Sequence, residues 1–309
     1  MNKFIVTTTI NKPTEALIKY SNFSDFHLIV VGDKKTPHSY FMNIKNITYL
    51  TPDDQEDISK DLSDSIGWNS IRRRNFGFIK AYQMGADIIA TVDDDNIPLA
   101  NWGSNINVGK KIIVELHTSN FEVLDPIFST EHKSLWHRGF PIQLINNRDN
   151  FKKKNIEIDC LVQADFWNGD PDIDAICRIS QSPNVTFDDF NLFTSDKIVP
   201  FNSQNTFISR ELIPHYMMIP HIGRMDDIWG AYYLQQKLKN ELPFIVFGPP
   251  TVFQERNAHN LFVDLKEEML GYENSYEAIK NNIKDYLPEE SKISLQIYES
   301  FFDKNKTYL

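Results

Sequence analysis

The strongest constraint on this chain is a recurrence in its first hundred residues: short apolar runs rich in β-branched residues, each closed by polar or glycine punctuation, alternate with helix-like segments. Residues 4–10 form the first run, stopped by Asn11-Lys12-Pro13 and followed by a helical segment over 14–20. Residues 26–31 repeat the pattern and end in Gly32-Asp33. Over 65–84 the spacing of Ile66, Ile71, Phe78, Ile79 and Tyr82 predicts a helix with Gly85 as its C-cap, and 86–92 return as a strand. Such units build an α/β fold with a mostly parallel sheet, in which ligands gather at the carboxyl ends of the strands.

Asp93-Asp94-Asp95 stands at one such end, directly after Ile88-Ile89-Ala90-Thr91-Val92. Like charges this close raise one another's pKa unless a cation neutralises them. Carboxylate oxygens are hard ligands for Mg²⁺ or Mn²⁺, and these ions share their coordination between one or two carboxylates and substrate phosphates, which makes a diphosphate the natural partner. The plainer reading is a solvated turn, with Asp95 or Asn96 capping the next segment.

Four further segments carry candidate chemistry. Asp226-Asp227 opens a helical pattern (Ile228, Trp229, Tyr232, Tyr233, Leu234), where the helix dipole stabilises negative charge; ordinary capping explains the same placement. Residues 200–206 are dense in amides able to read sugar hydroxyls, Asn205 among them, or else a surface turn. Arg72-Arg73-Arg74 precedes the acidic strand, and one or two of its guanidinium groups, Arg72 and Arg74, could clamp phosphates while the third faces water. In the loop 136–141, Arg138 is poised to meet an anion or a leaving group, although a lone loop arginine is commonly a surface residue.

A length of 309 residues suits one large α/β domain, residues 1–255, with a helical tail over 256–309. Between 100 and 200 the pattern is irregular and reads as loops and short strands around a site. Two amphipathic stretches, 261–270 and 275–287 with 291–302, read as tail helices packed on the sheet. The formal charge of −10 opposes non-specific attraction to nucleic acid and to anionic membranes, so nucleic acid is not an expected partner and membrane contact is at most peripheral. Cys160 and Cys177 are in no metal-like spacing and suit a reducing compartment. The first apolar stretch is too short for a signal peptide core and no run reaches about 18 apolar residues, so the expectation is a soluble, cytoplasmic protein.

The segments FHLIVVGDKKTP, RRRNFGFIKAYQMGADIIATVDDDN, RGFPIQL, DPDIDA and ISRELIPHYMMIPHIGRMDDIWGAYY, in that order, resemble the plant reversibly glycosylated polypeptides, which act as UDP-arabinopyranose mutases. LWHRGFPIQLIN, GDPDIDAICRIS, PFNSQNT and FQERNAHN are similar to the STELLO family of glycosyltransferases. Both resemblances imply a GT-A type nucleotide-diphospho-sugar transferase fold. They imply that Asp93 to Asp95 form a DXD-like site for metal and diphosphate, with Asp94 on the nucleotide side. They further imply that Asp33, Thr7 and Thr8 contact the nucleoside and that Asp226 or Asp227 faces the sugar or acceptor. Arg138 matches the arginine that becomes glycosylated in the mutase group, and the choice of UDP rests on the resemblance alone.

The expected activity is metal-dependent transfer from a nucleotide sugar to a carbohydrate or other hydroxyl acceptor, with surface polysaccharide synthesis as a setting. Mn²⁺ or Mg²⁺ sits on Asp93 and Asp95, with His259 a further candidate ligand or a plain loop residue. Asp227, or failing it Asp226, acts as general base. The alternatives are a UDP-sugar pyranose/furanose mutase and a non-catalytic scaffold that binds nucleotide sugars.

Overall fold

A computed structural model of the chain describes residues 1–42, 44–181, 183–255 and 260–305. Its first half follows the alternation read from the sequence: β1 (Lys3–Thr8), α1 (Glu15–Ser21), β2 (Phe26–Val31), β3 (Ile47–Leu50), α2 (Pro52–Ile58), α3 (Lys60–Ile66), α4 (Arg74–Gln83) and β4 (Ile88–Val92). Local chemistry sets the joints. Thr14 caps α1 by accepting from Leu17 N, and Thr51 and Asp54 form a reciprocal capping box on α2. β4 is buried at every position, as expected of a strand covered on both faces.

The helix expected over 65–84 is broken. Gly67 takes φ +73° and Asn69 φ +57°, so the chain leaves the helical path, and Ser70 starts a 3-10 turn at Ile71–Arg73 that leads into α4. The break places Arg72 and Arg73 in the 3-10 turn ahead of α4, with Arg73 buried in the core.

The second half contains β5 (Asn96–Pro98), β6 (Lys110–Thr118), β7 (Phe151–Cys160), β8 (Val162–Gly169), α5 (Ala175–Gln181), β9 (Phe193–Ser195), β10 (Asn205–Ser209), α6 (Asp226–Lys237), β11 (Ile245–Gln254), α7 (Leu261–Lys280) and α8 (Glu289–Asn305). The sheet runs β3-β2-β1-β4-β10-β8-β11-β9-β6-β7, with β5 paired to β11. The first four strands are parallel, and β10 then enters antiparallel between β4 and β8. Residues 100–200 are therefore more regular than their sequence indicates. β6 and β7 pair along almost their whole lengths, yet β7 is the edge strand and begins with exposed Phe151-Lys152-Lys153-Lys154, which hides its apolar alternation.

The tail also differs from expectation. The stretches 261–270 and 275–280 are one continuous α7, and α7 and α8 pack chiefly on α5, on α3 and on the turns around 210–225, rather than on the sheet. Trp229 Nε1 donates to Ser275 Oγ at 3.0 Å, and Tyr298 donates to the Ile213 carbonyl at 3.0 Å. Among the described residues no helix is long and apolar enough to cross a membrane.

α4 sits on β1 and β2 through Gly77, where a Cβ would lie 2.3 Å from Val6 Cγ1 and 3.0 Å from Val31 Cγ2. Neither valine has room to retreat in a close-packed sheet. Gly77→Ala is expected to destabilise the fold by about 1–3 kcal/mol through overpacking, read as a lower urea midpoint with an unchanged slope; an unshifted midpoint would contradict this packing.

Candidate active site

β1, β2 and β4 end at one edge of the parallel half, and a cleft of about 380 Å³ lies outside those ends, a volume in the range of small-molecule sites. Thr8, Asp33, Arg72, Arg74, Asp93, Asp94, Asp95, Arg138, Asp226 and Asp227 all line it, so ten positions singled out from the sequence converge on one cavity.

Asp94 is held by neutral donors and Asp93 by an arginine. Asp94 Oδ2 accepts from Thr9 Oγ1 at 2.5 Å and from Asn11 Nδ2 at 3.3 Å, and the Thr14 hydroxyl donates to the Asp94 carbonyl. Arg74, 1% exposed, donates through Nη2 to Asp93 Oδ1 at 2.6 Å and through Nη1 to the Ser203 carbonyl at 2.8 Å. Burial raises the Asp93 carboxyl, and Arg74 only partly opposes it. Arg73 packs its guanidinium over Trp68 at 3.7 Å and donates to Gln55 Oε1 at 2.7 Å; burial without a paired carboxylate pushes it down to about 10. The water-facing third arginine expected from the sequence is thus the most buried of the three.

On the opposite wall a denser network forms. Arg138 donates from Nε to Asp172 Oδ1 at 2.7 Å and from Nη2 to Asp172 Oδ2 at 2.9 Å, a two-pronged pair. Its Nη1 and Nη2 also reach Asp227 Oδ1 and Oδ2 at 3.0 and 3.3 Å. The loop that carries it needs Gly139, whose φ is +86° and whose Cβ would lie 2.2 Å from Ile228 Cγ2 on α6. Burial lowers the Arg138 pKa, but the two aspartates outweigh it and hold the guanidinium charged above its ordinary value. A guanidinium so committed is a poor nucleophile, which argues against Arg138 as a glycosylation site in this chain.

The two carboxyls at the start of α6 differ. Asp227 also accepts from Ser203 N at 3.0 Å, Ser203 Oγ at 3.1 Å and Ile228 N at 2.9 Å; burial pushes it up, and Arg138 with these donors brings it below the ordinary range. Asp226 has Arg72 Nε at 2.8 Å and the Asp227 amide at 3.0 Å, and burial raises it despite Arg72. Asp226 is therefore the more basic of the pair, the reverse of the order expected from the sequence.

Two candidates do not reach the cleft, and a third lies outside the described residues. Thr7 is buried one residue deeper in β1 than the lining Thr8. Asn205 is 1% exposed and spends its amide inside the protein, donating to Thr251 Oγ1 at 2.8 Å and accepting from Trp102 Nε1 at 3.0 Å; its neighbours Ser203 and Gln204 line the cleft instead. His259 lies outside the described residues. Sequence reasoning gave no role to Asp172 or Arg224, which also line the cleft, although both stand in the motifs DPDIDA and GRMDD. Arg224 Nε donates to Glu268 Oε1 on α7 at 2.9 Å, so the tail braces the site.

Among the described residues no group of three or more His, Cys, Asp or Glu side chains could hold an ion by itself. Asp93 and Asp95, both on the cleft, supply the all-oxygen pair that suits an ion completed by substrate phosphates and water.

No protein-family model matches the chain. Over 278 residues it is 23% identical to "Probable glycosyltransferase STELLO2" of Arabidopsis thaliana, and over 275 residues 22% identical to "Probable glycosyltransferase STELLO1" of the same plant, covering 81% of this chain in each case. The chain is STELLO-like. It spans about a third (35%) of the length of those relatives. Among solved structures, glucosyl-3-phosphoglycerate synthase from Mycobacterium tuberculosis in complex with phosphoglyceric acid is 11% identical to the STELLO-like chain with a TM-score of 0.47, covering 89% of this chain and 80% of that one. A complex of the same synthase with Mn²⁺ and uridine-diphosphate-glucose gives a TM-score of 0.46 at 11% identity, over 89% and 79% of the two chains.

The Arg138 network yields a pH signature. Asp172 is 2% exposed; burial alone would raise its pKa, and Arg138 holds it below the ordinary range. A depressed carboxyl contributes stability that is fully present above the unfolded value of about 3.9 and is lost as pH falls through the folded value. Asp172→Asn leaves Arg138 short of one charge and is expected to cost about 3 kcal/mol at pH 7, a gap that narrows below about pH 4. Urea unfolding of both proteins at pH 7 and pH 3 checks it, and a gap independent of pH would contradict the pairing.

Proposed function

We propose that this chain is a metal-dependent glycosyltransferase of the GT-A type that uses a nucleotide sugar, UDP-linked by resemblance, to glycosylate a hydroxyl acceptor. The observation that carries the reading is the meeting of two carboxylate sets, Asp93 to Asp95 and Asp226 with Asp227, across one cleft at the carboxyl ends of parallel strands, with Arg72, Arg74, Arg138 and Arg224 among them. The STELLO-like sequence supports it across most of the chain.

Asp93 and Asp95 would hold Mn²⁺ or Mg²⁺, which when bound offsets the charge of the diphosphate. Arg74 fixes the Asp93 carboxylate through its 2.6 Å contact, and Asp33, just past β2 in the cleft lining, would contact the nucleoside. Asp226 takes the proton of the acceptor hydroxyl; that oxygen bonds to the anomeric carbon as the bond to the diphosphate oxygen breaks and its electron pair leaves with the diphosphate. Asp227 is a positioning residue, because its oxygens are occupied by Arg138, Ser203 and Ile228. The locked state of Arg138 favours transfer to a separate acceptor over a mutase route through a glycosylated arginine.

The test is NMR of the protein with a panel of nucleotide sugars, with and without Mn²⁺ and acceptor sugars. Metal-dependent nucleotide release that grows with acceptor is expected, falling at least about 100-fold in folded Asp93→Ala, Asp95→Ala and Asp226→Asn. Release unchanged in all three variants would sink the site, and ring interconversion with the nucleotide retained would make the chain a mutase.

A further inference from the structure

A second cavity, of about 390 Å³, shares no lining residue with the cleft. It lies on the sheet face that carries Gln163, Asp165 and Phe207: Phe207 pairs with Gln163 between β10 and β8, and Asp165 follows two residues later on β8. Asp165 is 5% exposed, and Gly248 makes space for it, since a Cβ there would lie 2.2 Å from Asp165 Oδ1. Its carboxyl accepts from Gln163 Nε2 at 2.8 Å and from Thr251 Oγ1 at 3.2 Å, and among the described residues no ion pair engages it. A carboxylate offers about four acceptor positions, so about two remain.

The rest of the lining is uncharged. Asn101, Asn105 and Asn191 stand exposed at the rim, and Phe190 and Phe207 contribute aromatic surface. Among the described residues Asp165 is the sole ionisable group of the lining, and burial pushes it up to about 7. Phosphate groups would meet a carboxyl and no cation there. A ligand presenting paired hydroxyls with an apolar ring face would meet a free acceptor pair, amides that both donate and accept, and aromatic carbon.

We propose that this cavity is a second binding site, separate from the nucleotide cleft, for a neutral sugar whose hydroxyls are held by Asp165 and by the rim amides. It does not depend on the nucleotide-sugar reading, because the ligand carries no phosphate and needs no metal.

Saturation-transfer NMR of the full chain with glucose, galactose, arabinose and cellobiose tests it, with ethanolamine as a cationic control. Transfer to at least one sugar is expected, unchanged by excess UDP with Mn²⁺ and unchanged in Asp93→Ala. Asp165→Asn is expected to weaken binding about tenfold by replacing one carboxyl acceptor oxygen with an NH₂ donor. Asn105→Trp, at an exposed rim position, is expected to reduce it at least about tenfold by filling the mouth. No transfer to any of the four sugars, transfer that UDP displaces, transfer undiminished by both Asn105→Trp and Asp165→Asn, or binding of ethanolamine alone would each overturn the proposal.

Discussion

Arg138 is buried between two aspartates that come from distant parts of the chain, and the shape of the site depends on that contact. Asp172 stands in the loop between β8 and α5, Asp227 in the first turn of α6, and Arg138 in a loop between β6 and β7. A buried charge is tolerated only when paired and hydrogen-bonded, so these three segments must meet or the fold bears an uncompensated guanidinium. Asn202 joins through Asp172 at 2.8 Å and Ser203 through Asp227, which ties the entry of β10 into the same knot. Because β10 pairs with β4, the network reaches the strand that delivers the acidic triplet.

The cleft thereby acquires two walls with different electrostatic characters. On the β4 side, Asp93 is raised by burial and opposed by a single arginine, a carboxylate that gains from a further cation. On the α6 side, Asp227 is saturated with donors while Asp226, one residue earlier, keeps capacity to accept. Two adjacent carboxyls with diverging basicity are what a division between positioning and proton transfer requires. The tail contributes through Glu268, which holds Arg224 at the rim.

The parallel strands, the acidic strand end and the start of α6 were legible in the sequence because each rests on local signals: β-branched runs, a cap, a carboxylate pair before an apolar helix. Reading failed where tertiary contacts overrode local pattern. Residues 65–84 keep helical spacing but contain Gly67 and Asn69, whose positive φ values let the chain turn and present Arg72 and Arg74 separately. β7 looks like a loop because an edge strand needs no continuous apolar face. Asn205 carries the amide expected of a sugar-reading residue, but at the start of β10 its side chain bonds to Trp102 and Thr251 inside the protein, and Ser203 and Gln204, just before the strand, line the cleft instead.

By itself the sequence determined the α/β class, the placement of carboxylates at a strand end and a helix start, and the set of segments from which a site could be built. Those are consequences of side-chain periodicity and of charge that cannot be buried unpaired. The tertiary structure decided which of the candidates meet, which arginine turns inward, and which of Asp226 and Asp227 has its pKa raised and which lowered. Partner choice and pKa depend on distances of a few ångströms between residues far apart in the chain, such as the 89 positions that separate Arg138 from Asp227 and the 129 that separate Arg74 from Ser203, and no local pattern encodes those distances.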